Sequence, residues 1–100
     1  MPSKTYEKVI DEKYIVPLEK GSGIVKFEAW QLDGKVVKYN MAYINQELFP
    51  EDNGRVVGYD NVHNFHHKHY FGTIIELDDF SSYRDQVLKF REDIKEFIDD

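Results

Sequence analysis

Asp33-Gly34 stands between two runs in which apolar and polar residues alternate, and this pair restricts the chain more than any other feature. An Asp-Gly dipeptide accepts the positive φ angles of a two-residue turn whose twist matches that of paired strands. In residues 24–32, Val25, Phe27 and Ala29 fall on one face, with Lys26, Glu28 and Trp30 on the other. In residues 35–45, Val37, Tyr39, Met41 and Tyr43 share a face. Residues 46–54 are polar, contain Pro50 and close on a second turn pair, Asn53-Gly54. Residues 55–62 read as a third strand and residues 70–77 as a fourth, ended by Asp78-Asp79. Connections this short cannot cross over to make parallel pairs, so the strands form a meander. Residues 1–20 are mixed and charged, and Pro17 limits any element there.

The last element reads as a helix. Ser81 or Ser82 supplies an N-cap, and Ser82 has Asp85 three residues on in the manner of a capping box. Tyr83, Val87, Phe90, Ile94 and Phe97 recur at helical spacing and make one apolar stripe. Packing on the sheet is its simplest use, and a seam for a partner helix is the alternative. The expected fold is α+β: one domain over residues 1–100, an antiparallel meander sheet of three to five strands with the C-terminal helix packed on one face.

Composition narrows the function. With 41% hydrophobic and 15% aromatic residues the chain can build a core. The absence of cysteine excludes disulfides and thiolate metal sites. No run of about eighteen apolar residues exists, so no membrane role is expected, and the charged N-terminus points to a cytoplasmic protein. Thirteen basic against nineteen acidic residues give a net charge of −6. Non-specific nucleic-acid affinity comes mostly from phosphate neutralisation by Lys and Arg, so any nucleic-acid contact must be local.

All four histidines, His63, His66, His67 and His69, lie within seven residues, with Lys68 among them. Imidazole titrates near neutrality and can move protons or bind metals. In an extended segment His67 and His69 point one way, with His63 and Phe65, while His66 and Lys68 point the other. Three readings follow. The first is a site for a divalent transition metal such as zinc, with His63, His67 and His69 as ligands. The second is acid–base chemistry on a phosphodiester without any cofactor, one imidazole as base, another as acid and Lys68 or His66 on the phosphate. The third is a strand whose histidines cap carbonyls and bond to Asp60 and Asn61.

The series Tyr39-x-x-x-Tyr43, Tyr59-Asp60-Asn61-x-His63 and His66-His67-Lys68-His69 resembles the TumE-type toxins of prokaryotic toxin–antitoxin pairs. The resemblance covers residues 24–98, and the 59–69 block is its specific part. Phe65 stands where a proline often precedes the double histidine of that family, and the stretch after Asp60-Asn61 is short. The resemblance implies a toxin encoded beside a cognate antitoxin that carries a DNA-binding domain, with RNA or translation as the target. On this reading His66, His67, Lys68 and His69 are catalytic, supported by Asp60, Asn61 and His63, and the active species could be a homodimer. Arg55 could reach a phosphate, and Trp30, Tyr39 and Tyr43 could stack on bases. A solvated Arg55 and core aromatics are the plainer readings. A binding module that acts only through complex formation, and a metal-binding protein, are the alternatives from other classes.

Overall fold

The computed structural model describes residues 6–62 and 65–99. Six strands run in sequence order as one antiparallel meander: β1 (Glu7–Ile15), β2 (Ile24–Leu32), β3 (Lys35–Ile44), β4 (Arg55–Asp60), β5 (His67–Tyr70) and β6 (Thr73–Glu76). The helix α1 (Tyr83–Ile94) follows. The α+β class is as expected, and six strands replace the expected three to five.

Two local features account for the extra strands. β1 lies in the charged N-terminal stretch, pairs with β2 and is exposed on both faces except at Ile10. An edge strand open to water on both sides has no need of apolar alternation, and its charges discourage further strand addition. The second feature divides the segment read as a single strand over residues 70–77. Phe71 at φ 46° and Gly72 at φ 82° make a two-residue turn that pairs β5 with β6. Phenylalanine rarely enters the left-handed region. Here it is held by its N–H, which donates to the Val56 carbonyl at 2.9 Å, and by its ring, which sits edge-on to Phe49 and Phe97.

The hairpin between β2 and β3 turns at Asp33 (φ 53°) and Gly34 (φ 78°), as its sequence requires. Its register holds one irregularity. Trp30 pairs with Lys38 but Gln31 pairs with Val36, so Val37 is the extra residue of a bulge. Val37 is therefore turned towards solvent while Val36 packs on the core, which corrects the expectation that Val37 shares a face with Tyr39.

The helix crosses β3 and β4 on one face of the sheet. The Ser82 hydroxyl accepts the Asp85 N–H at 3.0 Å, the cap that the sequence indicates. Phe90 is fully buried, edge-on to Phe27 at 5.5 Å and to Tyr59 at 6.2 Å. Phe97 lies beyond the last helical residue, yet it still stacks on Tyr43 at 5.8 Å. The stripe thus docks on the sheet, as expected, and does not serve as a seam for another helix. A polar clamp reinforces it: the Tyr59 hydroxyl donates to the Asp93 carboxylate, and Lys68 Nζ lies 2.7 Å from the same group. No helix among the described residues is long and apolar enough to cross a membrane.

Replacing Phe90 with Ala removes the ring at the centre of this contact. The expected loss is about 3–5 kcal/mol, read from denaturant melts, because β3 and β4 cannot close over the cavity. A loss below ~0.5 kcal/mol would mean that the helix is not docked there.

Candidate active site

The strand register divides the histidine segment between two faces. Residues directly opposite one another in a sheet project to the same side. Phe27, Met41 and Tyr59 mark the side covered by α1. Trp30 is paired with Lys38, Asn40 with Asp60, Asp60 with His67 and Gly58 with His69 on the opposite, open side. Lys68, between two histidines in β5, therefore turns to the helix side and meets Asp93. The expected split of His67 and His69 from Lys68 holds.

His66, immediately before β5, also belongs to the helix side. Its ring stacks on Phe80 at 3.6 Å, and its Nδ1 lies 2.8 Å from the Tyr39 hydroxyl. That hydroxyl also accepts from Gln86 Nε2 at 3.0 Å. Burial, and then the neighbouring His67, push the His66 imidazole below its usual range. A neutral ring accepting from a phenol between aromatic planes is a packing element. Tyr39 and Tyr43 are 1% and 0% exposed, so neither ring offers a face to a base.

On the open side the centre is Asp60, only 4% exposed. Both of its oxygens are engaged. Oδ1 accepts the Val62 N–H at 3.1 Å, which ends β4, and lies 2.8 Å from His67 Nε2. Oδ2 bonds to His69 Nε2 at 3.2 Å and lies 3.7 Å from an Arg55 Nη. His67 is oriented from its other edge, with Nδ1 3.2 Å from the Phe65 carbonyl. The two imidazoles meet edge to face at 4.8 Å. Burial first, and then the Arg55 guanidinium, push the His69 imidazole below its usual range, against the pull of Asp60. A ring so placed stays neutral at pH 7 and can accept a proton. With Nε2 turned to a carboxylate, the Nδ1 edge of His69 is the one left for chemistry.

Arg55 is more than the solvated residue that its position after a turn suggests. Its guanidinium donates to both oxygens of Asp52, at 2.9 and 3.2 Å, and so ties the loop before β4 to the strand. Its stem lies across β4 over Gly58, where an added Cβ would come within 2.7 Å of the arginine side chain. The glycine is thus what lets a cation reach from the loop towards Asp60. Val62, Phe65 and Ile74 complete the wall of a cavity of about 330 Å³ shared by Arg55, Asp60, His67 and His69.

Asn61, expected in a supporting role, holds the strands together. Its side chain accepts the Tyr39 N–H at 3.0 Å and donates to the Val37 carbonyl at 2.9 Å, extending the ladder beyond Asp60. His63 lies outside the described residues. Of the metal-ligand set named from the sequence, His67 and His69 are described, and one donor atom each from Asp60, His67 and His69 lie within 4.8 Å of one another. Two imidazoles and a carboxylate form a donor set suited to a divalent transition metal.

No curated protein and no solved structure matches the chain. The family model described as Toxin TumE matches residues 6–98. That span takes in β1 to β6 and α1, so the chain belongs to the TumE toxin family, a membership that implies a toxin–antitoxin system and a cognate antitoxin as partner.

Proposed function

We propose that this toxin acts on RNA by metal-independent acid–base cleavage at the open face of the sheet. The observation that carries this reading is the convergence of two imidazoles and a guanidinium on the buried carboxylate of Asp60. Phosphodiester cleavage through the 2′-hydroxyl needs a base, an acid and a cation for the charge that develops on phosphate. His69, held neutral, takes the 2′-hydroxyl proton. The freed 2′-oxygen attacks phosphorus, and the 5′-oxygen leaves with a proton given by His67 Nδ1. That nitrogen gives up its contact with the Phe65 carbonyl while Nε2 stays on Asp60. A 2′,3′-cyclic phosphate and a 5′-hydroxyl end result. Arg55 meets the phosphate, the task that the sequence suggests for Lys68 or His66, which face the helix. Asp60 fixes both rings, as the carboxylate of a catalytic triad fixes its imidazole.

His67→Ala and His69→Ala should each lower cleavage by about 10²–10⁴. Lys68→Ala should lower thermal stability, since it opens the clamp on Asp93. EDTA should leave the rate unchanged. Full toxicity of a folded His67→Ala, His69→Ala double variant would overturn the proposal. The rate should also fall on acidification, as His69 takes up a proton at a pH below the usual imidazole value. Stability moves in the same direction. The folded pKa values of His66 and His69 lie below the unfolded ones, so their contribution is present above about pH 6.5 and is lost as the pH falls through the folded values. A circular-dichroism signal recorded at each pH separates the two effects.

A second reading rests on the donor set Asp60, His67 and His69. Here the cluster holds a divalent ion, and loss of activity in EDTA with rescue by zinc would select it over the imidazole mechanism.

The partner is a cognate antitoxin carrying a DNA-binding domain. Induction of the toxin alone should arrest growth, and co-expression with the adjacent gene should restore it and give a complex stable on size exclusion. Separate elution of the two proteins at micromolar concentration would count against the pairing.

A further inference from the structure

The open face of the sheet extends well beyond the histidine pocket. Arg55 lines that pocket and also a second cavity of about 210 Å³, whose wall includes Lys26, Asn40, Asn53 and Asp52. The two depressions therefore share Arg55 as a common wall. Trp30 lies four residues along β2 from Lys26, with Glu28 between them on the same face. Lys8 Nζ and Lys38 Nζ stand 5.2 and 4.6 Å from its ring centroid. The strand pairing sets the path: Trp30 is opposite Lys38, Asn40 is two residues further along β3, and Asn40 is opposite Asp60. With strands about 4.8 Å apart and a rise of about 3.4 Å per residue, Trp30 lies roughly 16 Å from His67.

We propose that this face is a track for single-stranded RNA, with Trp30 as a base-stacking platform and Lys26 and Arg55 as phosphate contacts leading into the His67–His69 pocket. The proposal rests on the RNA reading above and names the binding surface that this reading lacks. An aromatic ring beside ammonium groups is what a strand with stacked bases and charged phosphates requires. No element among the described residues covers this side, because α1 crosses the opposite one. Lys8, Lys26, Lys38 and Arg55 project to this face together with Glu28 and Asp60. Lys8 pairs with Glu28 at 2.7 Å and Arg55 with Asp52, which leaves Lys26 and Lys38 as the cations best placed to meet a phosphate ahead of the pocket.

Trp30 is the sole tryptophan of the chain, so its fluorescence reports on this site alone. The full-length protein is titrated with a short 2′-O-methyl RNA, which cannot be cleaved through a 2′-hydroxyl, and with a duplex of the same sequence. Saturable quenching by the single strand, with weaker binding of the duplex, is the expected result. Trp30→Ala should weaken binding roughly tenfold, as measured by the anisotropy of a labelled oligonucleotide, and Trp30→Phe should restore most of it. Lys26→Ala should weaken binding and flatten its salt dependence. If the wild type cleaves RNA but Trp30 emission and the Trp30→Ala affinity do not change, the track is wrong and the cleavage mechanism stands. If the single strand quenches Trp30 and no RNA is cleaved, the track stands and the mechanism fails. Absence of both binding and cleavage overturns both.

Discussion

A carboxylate as buried as that of Asp60 has to be compensated by cations or N–H donors, because the net desolvation of an ion costs several kcal/mol. β5 and Arg55 supply that compensation, and in doing so they form the site. Asp60 ends β4, a strand buried almost throughout, so its position is fixed by the core on one side and by the β5 ladder on the other. Neighbouring residues of β4 divide the labour. Tyr59 reaches through to Asp93 and holds the helix, while Asp60 gathers His67 and His69. β5 repeats the division, with Lys68 on the helix side and its two neighbours on the open side. The helix side and the open side thus draw on alternate residues of the same pair of strands.

The same alternation explains why, among the described histidines, His66 does not join His67 and His69. His67 and His69 are two residues apart and converge; His66 is one residue out of phase and is drawn into the stack of Tyr39 and Phe80. Cationic duties are divided in the same way, Lys68 pairing with the helix and Arg55 with the site.

Much of this architecture is legible in the amino-acid sequence. The hairpin at Asp33-Gly34, the stripe of α1, its cap at Ser82 and the opposed faces of His67 and Lys68 all follow from local periodicity and turn chemistry. β1 is not legible, because a strand exposed on both faces carries no apolar period. The β5–β6 turn is hidden because Phe71 adopts a left-handed conformation that only its tertiary contacts sustain. Within the site, spacing alone makes Asp60 a support when it is the hub, and leaves Arg55 solvated when it is placed. Nothing in one-dimensional spacing shows that Gly58 leaves room for the arginine stem, or that Asn40 and Asp60 meet across two strands. The one local clue, Asp52 and Arg55 flanking Asn53-Gly54, becomes an ion pair only once the turn is formed.

One buried carboxylate orienting two imidazoles for RNA cleavage is the central claim. Asp60→Asn tests it most directly, because the amide keeps the shape of the side chain and removes its charge. The cleavage rate on a defined RNA is measured for the wild type and the variant, with folding checked by thermal melts and the new ends identified chemically. The expected result is a folded variant whose rate falls by about 10²–10⁴, and wild-type products that end in a 2′,3′-cyclic phosphate and a 5′-hydroxyl. A folded Asp60→Asn protein that cleaves at the wild-type rate would contradict it.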